Sequence, residues 1–294
     1  MNKVLVIVGP TGVGKSEFAI RCAKQYNGEI ISGDSIQIYK DLNIGSAKIK
    51  KEEMNGINHY LIDIKEASEN YSVKEFQELA RIKINEIICK GKLPIVCGGT
   101  GLYIKALLYD YKFLEEEIKD EQFEDMTNKE IYEEIKKIDP KSLIKIHINN
   151  RKRLVRALNI IKKHNTSISE IKDNQEHKLL FNAKIIGLTK EKEELKNIVN
   201  KRIDKMIDEG LVQEVNNLIK QGITFDNQSM QGIGYKELKD YFNNTKTLEE
   251  CVDNIKTHTH QFIKRQYTWF KNQMDVEWYD NIEEAITSIN KWYE

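Results

Sequence analysis

The sequence predicts an α/β fold, a doubly wound parallel sheet interrupted by a helical insertion. Three observations predict it. The chain opens on an apolar run, Lys3–Val8, that passes through a glycine-rich loop into a helix-patterned segment. Apolar runs and helical periods then alternate, with short loops, as far as residue 112. Residues 113–178 are charged and helical in pattern, without a convincing strand, and an apolar run, Asn182–Thr189, returns after them. The expected organisation is a discontinuous core, 1–112 and 179–294, with an insertion at 113–178.

Lys3–Val8 has the continuous apolar pattern of a strand buried on both faces. Gly9-Pro10-Thr11-Gly12-Val13-Gly14-Lys15-Ser16 follows, and Glu17–Tyr26 continues as a helix. Glu29–Ser32 is a short second strand ending at Gly33-Asp34-Ser35, and His59–Asp63 is a third. Ser72–Cys89 is a helix: Phe76, Leu79, Ala80, Ile84, Ile87 and Ile88 recur at helical spacing, and Ser72 with Glu75 forms a capping box. Lys92–Cys97 is another buried strand, stopping at Gly98-Gly99-Thr100-Gly101 before a further helix. Past the insertion come an amphipathic helical region, Lys192–Lys220, a helix at Asn254–Asn272, a short strand at Val276–Tyr279 and a helix from Glu283. Right-handed crossovers put the strand C-terminal ends on one edge, which therefore carries the 9–16 loop, Asp34 and Thr100 together.

The 46 basic and 46 acidic residues cancel, so no global nucleic-acid signature exists. Locally, Glu115–Asp125 is acidic and Arg151–Lys163 is basic. Cys22, Cys89, Cys97 and Cys251 lie far apart without a C-x-x-C pair, the usage of small buried thiols in a reducing compartment. No apolar run reaches membrane length and no leader pattern precedes the first strand, so a cytoplasmic protein without a membrane partner is expected. His258 and His260 are two apart in a helical region and do not share a face, so a metal pair is not expected there.

Residues 9–16 read G-x-x-x-x-G-K-S, the phosphate-binding loop. Its glycines let backbone N–H groups point inward as an anion nest, and the following helix adds its positive end. Lys15 supplies a mobile charge for the outer phosphates and Ser16 a hydroxyl for Mg²⁺. The loop alone leaves kinases, ATPases and other transferases open. The Leu93–Cys97 strand ends in Gly-Gly-Thr, not in the acid with which a hydrolase holds Mg²⁺. The acid at a strand end is Asp34. It either takes a proton from a nucleophile above the loop or caps its own turn.

Several further segments recur in a fixed order: Asp34-Ser35-x-Gln37-x-Tyr39, Ile44–Lys48, His59–Asp63, Tyr71-Ser72-x-x-x-Phe76, Gly98–Tyr103, Asn149–Arg153, Gly232–Lys236 and Lys264–Phe270. With the phosphate loop they span nearly the whole chain, and the ordered set resembles the tRNA dimethylallyltransferases (tRNA isopentenyl transferases). The resemblance implies a P-loop nucleoside-triphosphatase-like core. Gly9, Pro10, Thr11, Gly12, Val13, Gly14, Lys15 and Ser16 would hold the pyrophosphate of dimethylallyl diphosphate, with Mg²⁺ on Ser16. Arg202 is either a further ligand or a surface helix arginine. The acceptor would be N6 of the adenosine 3′ of the anticodon, drawn out of its stack. Lys15, Asp34 and Thr100 would be catalytic, with Asp34 taking the amine proton.

The tRNA anticodon stem-loop is the implied partner. Its contacts would be Asp34, Ser35, Ile36, Gln37 and Thr100, then Lys152, Arg153, Leu154, Val155 and Arg156, then Gln231, Gly232, Ile233, Gly234, Tyr235 and Lys236. Arg153 and Arg156 are three apart and share a helix face. Mg²⁺ is the expected cofactor and a monomer the expected state. Ile198 stands where relatives often carry an arginine, and Lys119 is the nearest cation to another such position. No C-terminal zinc finger of the eukaryotic kind follows, which suggests a bacterial form. Competing readings are a small-molecule P-loop kinase binding ATP, an adenylate prenyltransferase, and a non-catalytic nucleotide-binding module. The insertion with its basic helix favours tRNA over a small acceptor; Asp34 beside a phosphate site favours an enzyme over a binder.

Overall fold

The computed structural model describes residues 1–111, 113, 123–144, 146–164 and 178–294. Among these, the strands are β1 (Lys3–Val8), β2 (Gly28–Ser32), β3 (His59–Tyr60), β4 (Leu93–Cys97), β5 (Asn182–Leu188) and β6 (Glu277–Tyr279). They form one sheet in the order β3-β2-β4-β1-β5-β6, with every pair parallel. The apolar β1 takes the middle, where Val4–Val8 are all 0% exposed. The sequence distance between neighbours is bridged by helices: α1 (Lys15–Gln25), α2 (Val73–Cys89) and α3 (Gly101–Leu108) in the first part of the chain. α4 (Asn128–Ile138), α5 (Pro140–Leu143) and α6 (Arg151–His164) follow. Then come α7 (Lys192–Asp208), α8 (Leu211–Lys220), α9 (Lys239–Phe242), α10 (Leu248–Gln273) and α11 (Ile282–Tyr293). None of the described helices is long and apolar enough to cross a membrane.

The chain divides into two units, Met1–Leu108 with Leu179–Glu294, and Tyr109–Lys178. The second has its own apolar core, in which Phe123, Ile131, Ile135, Leu154, Leu158 and Ile161 meet. Thr127 and Glu130 close a full capping box at the start of α4, and Asp139 caps α5. Lys119 and most of the acidic run from Glu115 lie outside the described residues.

Several elements differ from expectation for identifiable reasons. β3 stops after Tyr60 because Leu61 and Asp63 take φ of 61° and 55°, which extended pairing does not allow. At α2, Ser72 accepts from the Glu75 N–H at 3.1 Å, but the Glu75 carboxylate pairs with Lys65 at 2.7 Å, so the box is half closed. Lys192–Lys220 is two helices, divided at Gly210, whose φ of 101° a side chain would resist. α10 begins before Asn254 because Thr247 and Glu250 form a complete capping box. Short 3₁₀ turns at Gln228–Gln231 and Lys236–Leu238, and α9, fill a stretch with no periodic signal. Cys22 and Cys251 are buried free thiols, whereas Cys97 is half-buried and Cys89, ending α2, is exposed.

Candidate active site

The parallel strands bring the 9–16 loop, the Asp34 turn and the Thr100 turn to one sheet edge, around a cavity of about 1040 Å³. The loop is shaped from behind. Gly9 lies so close to β5 that a Cβ would sit 2.6 Å from the Leu188 carbonyl oxygen. Gly14 caps α1 at φ 90°, in the left-handed region. Val13 is 5% exposed, so its side chain belongs to the core. Thr11, Gly12, Gly14, Lys15 and Ser16 line the cavity, while Gly9, Pro10 and Val13 support the loop.

Lys15 Nζ donates to the Pro10 carbonyl at 2.6 Å. Burial brings the pKa of Lys15 down to about 8; Cys97 and Asp34 oppose the shift and the Arg202 charge adds to it. Arg202, on α7, donates to Thr11 Oγ1 at 3.3 Å and lines the cavity, so it is not a solvent-facing surface residue. Burial lowers its pKa, opposed by Asp34. Two cations held in partial burial make a site that gains by receiving an anion.

Asp34 caps its own turn and also faces the cavity. Its Oδ1 accepts from the backbone N–H of Ile36 at 2.8 Å and of Gln37 at 3.2 Å, an Asx turn that fixes the carboxylate. Its other oxygen makes no hydrogen bond among the described residues, and the group lines the cavity with Ser35, Ile36, Gln37 and Thr100. Gln37 Nε2 donates to the carbonyls of Ser46 and Ala47 at 3.2 and 3.3 Å, tying this turn to the 44–48 loop. No cluster of three or more His, Cys, Asp or Glu side chains is placed to hold a metal among the described residues. Ser16, whose hydroxyl makes no hydrogen bond there, fits a cation that takes most of its ligands from a phosphate group, the common arrangement for Mg²⁺.

The other lip is Gln231–Lys236, of which Gln231, Gly232, Ile233, Gly234 and Lys236 line the cavity. Tyr235 does not: it is 0% exposed, and its hydroxyl donates to Glu214 Oε1 at 2.8 Å and accepts from the Ser46 N–H at 3.1 Å. An aromatic ring set on Gly45, where a Cβ would approach Tyr235 Cζ to 2.5 Å, belongs to packing rather than to ligand contact. Glu214 also accepts from the N–H groups of Asn43, Ile44 and Gly45. Glu237, 7% exposed, accepts from the Gly234 N–H and lies 2.8 Å from His258 Nδ1. His260 faces Asn200 instead, so the two histidines diverge.

The model of a family described as IPP transferase matches residues 37–273. A tRNA dimethylallyltransferase from Anoxybacillus flavithermus is 48% identical over 288 residues, covering 97% of this chain and 92% of the relative. One from Bacillus anthracis is 47% identical over 294 residues, covering 98% and 93%. The chain belongs to the IPP transferase family. Solved structures agree with this membership. The tRNA isopentenylpyrophosphate transferase of Staphylococcus epidermidis matches with a TM-score of 0.74 at 41% identity, over 99% of both chains. A eukaryotic dimethylallyltransferase acting on tRNA matches with a TM-score of 0.86 at 30% identity, over 100% of this chain and 80% of that one. A doubly wound P-loop-type core is thus common to this IPP transferase and its solved relatives.

In the Tyr109–Lys178 unit, α6 presents Lys152, Arg153 and Arg156 to solvent. Leu154 and Val155, expected among the tRNA contacts, are 0% and 1% exposed. Helical spacing turns them into the unit's core, so their side chains pack rather than bind. Two groups that hold the cavity's loops escaped sequence reasoning, of which only Gln266 lines the cavity itself. Glu214 and Gln266 lie far along the chain from the loops they hold, and a single Glu or Gln on an amphipathic helix carries no local signature. The one signal is the Lys264–Phe270 motif, which contains Gln266 but does not show what it holds.

Proposed function

We propose that the protein transfers a dimethylallyl group from dimethylallyl diphosphate to N6 of the adenosine 3′-adjacent to the anticodon in tRNA, releasing pyrophosphate. One observation carries the reading: a glycine nest with two half-buried cations and a half-engaged carboxylate face the same cavity. Membership of the IPP transferase family and relatives named tRNA dimethylallyltransferase support it.

The nest and Lys15 bind the diphosphate, with Arg202 reaching it from α7. Mg²⁺, held by Ser16 and the diphosphate oxygens, would supply further neutralising charge when bound. The N6 lone pair forms the new bond to the allylic carbon as that carbon's bond to oxygen breaks, and the electron pair leaves with pyrophosphate. The negative charge growing on the leaving oxygens meets fixed donors that need no rearrangement. The proton released from N6 passes to the free oxygen of Asp34, while the Asx turn keeps the carboxylate aimed. Thr100, at the start of α3, flanks the amine. The exposed cations of α6 would grip tRNA phosphates. Such an enzyme works in the cytoplasm, as a monomer.

The test is transfer from radiolabelled dimethylallyl diphosphate, with unmodified tRNA or AMP as acceptor, with and without Mg²⁺. Label entering tRNA and requiring Mg²⁺ is the expected result. Label entering AMP alone, or ATP turnover without the prenyl donor, would replace this reading with a nucleotide prenyltransferase or a kinase.

A further inference from the structure

We propose that Gln266 is a positioning residue that holds the diphosphate loop and the Thr100 turn in fixed register during prenyl transfer. This rests on the function proposed above. Gln266 lies on α10 and is 5% exposed. Its Oε1 accepts from the Thr11 backbone N–H at 3.1 Å, and its Nε2 donates to the Gly99 carbonyl at 3.0 Å. Only one orientation of the amide serves both, since the oxygen must meet the N–H and the nitrogen the carbonyl. Thr11 belongs to the loop that would hold the donor; Gly99 directly precedes Thr100, on the acceptor side.

The surroundings are built around this contact. A Cβ on Gly99 would come within 2.3 Å of Gln266 Nε2, so glycine leaves the amide its place. One helical turn on, the Trp269 ring fills the space at Gly101, where a Cβ would stand 2.1 Å from Cε3. The neighbouring Tyr267 hydroxyl lies 2.9 Å from Thr189 Oγ1, just beyond β5. One turn of α10 therefore fastens the ends of β1, β4 and β5. Within it, Gln266 joins the donor loop to the acceptor turn directly. A buried amide without partners is costly, so these two bonds are what the side chain is placed to make. Displacement requires amine, carbon and leaving oxygen in line, and a shift of about 1 Å between the loops is enough to cost about 100-fold in rate.

The experiment compares wild-type enzyme with Gln266→Met, which keeps the volume and loses both bonds, and Gln266→Glu, which keeps the acceptor for Thr11 but sets an oxygen against the Gly99 carbonyl. The measurements are kcat, KM for prenyl donor and tRNA, melting temperature, and hydrogen exchange of the Thr11 amide. Gln266→Met should lose about 100-fold in kcat, with both KM values within about threefold, and its Thr11 amide should lose protection. Gln266→Glu should retain that protection and show an intermediate kcat. A folded Gln266→Met enzyme with kcat within about threefold of wild type, a loss confined to KM, or an unchanged Thr11 exchange rate would each overturn the proposal. If Gln266→Met does not fold, Gln266→Glu decides: wild-type kcat there is equally fatal. Wild-type enzyme that transfers no prenyl group would sink the proposed function instead. The Thr11 exchange needs no substrate, so it would still report whether Gln266 couples the two loops.

Discussion

Glu29 and Asp34 stand near opposite ends of the same strand, β2, and meet opposite fates. Glu29 is 1% exposed and accepts from Lys90, Lys92, the Tyr60 hydroxyl and Asn58 at 2.7–3.0 Å. Burial alone would raise its pKa, but the bonds from Lys92, Tyr60, Asn58 and Lys90 override it and bring it down to about 2. Asp34 spends one oxygen on its own turn and leaves the other facing a cavity. The first carboxylate has no capacity left for a substrate; the second is anchored yet unsatisfied. At the strands' C-terminal ends this carboxylate stays available to a ligand, while the one at the opposite edge is consumed in holding the fold.

The sharpest way to break this contrast is to exchange the roles. Asp34→Ala should reduce the prenyl-transfer rate by about 10²–10⁴-fold, the usual contribution of a general base, with little change in tRNA affinity. Asp34→Asn retains an oxygen for the Ile36 and Gln37 N–H groups, so it should keep the wild-type melting temperature and lose the rate all the same. An active Asp34→Asn enzyme would assign the residue to the turn alone.

Glu29→Gln should do the reverse, leaving the rate per folded molecule intact and lowering stability at pH 7 by about 3 kcal/mol. The pH dependence gives the sign. A carboxylate whose pKa is depressed on folding contributes in full above its unfolded value of 4.5, and that contribution fades as pH falls toward 2. Wild-type urea midpoints should therefore drop across that window more steeply than those of Glu29→Gln. Parallel curves would mean that Glu29 is not held as the structure indicates.

Lys15 tests the available edge from the cationic side. Burial leaves its ammonium with a pKa of about 8. A bound diphosphate favours the charged form, so binding above that pH must take up a proton. Inorganic pyrophosphate should then bind roughly tenfold more weakly per pH unit above 8. The same titration on Lys15→Met, which retains only the ligand's own pH dependence, isolates the contribution. Identical slopes would show that Lys15 carries its charge throughout.

What could be read from the sequence follows the range of the interactions. The loop at 9–16, Asp34 and Thr100 were legible because spacing and strand ends are local properties, and parallel topology then brings strand ends together. Elements with strong periodicity were found; β3 was overextended because left-handed residues such as Leu61 leave no mark in a hydrophobic pattern. Asp34's two readings proved compatible, since a carboxylate has two oxygens and the turn uses one. Tyr235 and Val13 fall within the motifs yet pack into the core, because a motif reports which positions matter and not which way a side chain points. Glu214 and Gln266 were missed because each acts on backbone far away in the chain, a relation no local pattern encodes.

The same division of labour recurs within α6, where it can be tested most finely. Arg151 donates to the carbonyls of Met126 and Phe123, both at 2.7 Å, and to Asn128, fastening the helix start to its own unit. Arg153, two positions on, is exposed. Arg153→Ala should weaken tRNA binding by about 1 kcal/mol and reduce the slope of log affinity against log salt by about one, because one phosphate contact and its released counterion are lost. Arg151→Ala should leave that slope unchanged and lower the melting temperature, because its bonds go to carbonyls that would lose their partner. A drop in slope for Arg151→Ala, or none for Arg153→Ala, would show that neighbouring arginines on this helix are not divided between fold and ligand in the way their hydrogen bonds imply.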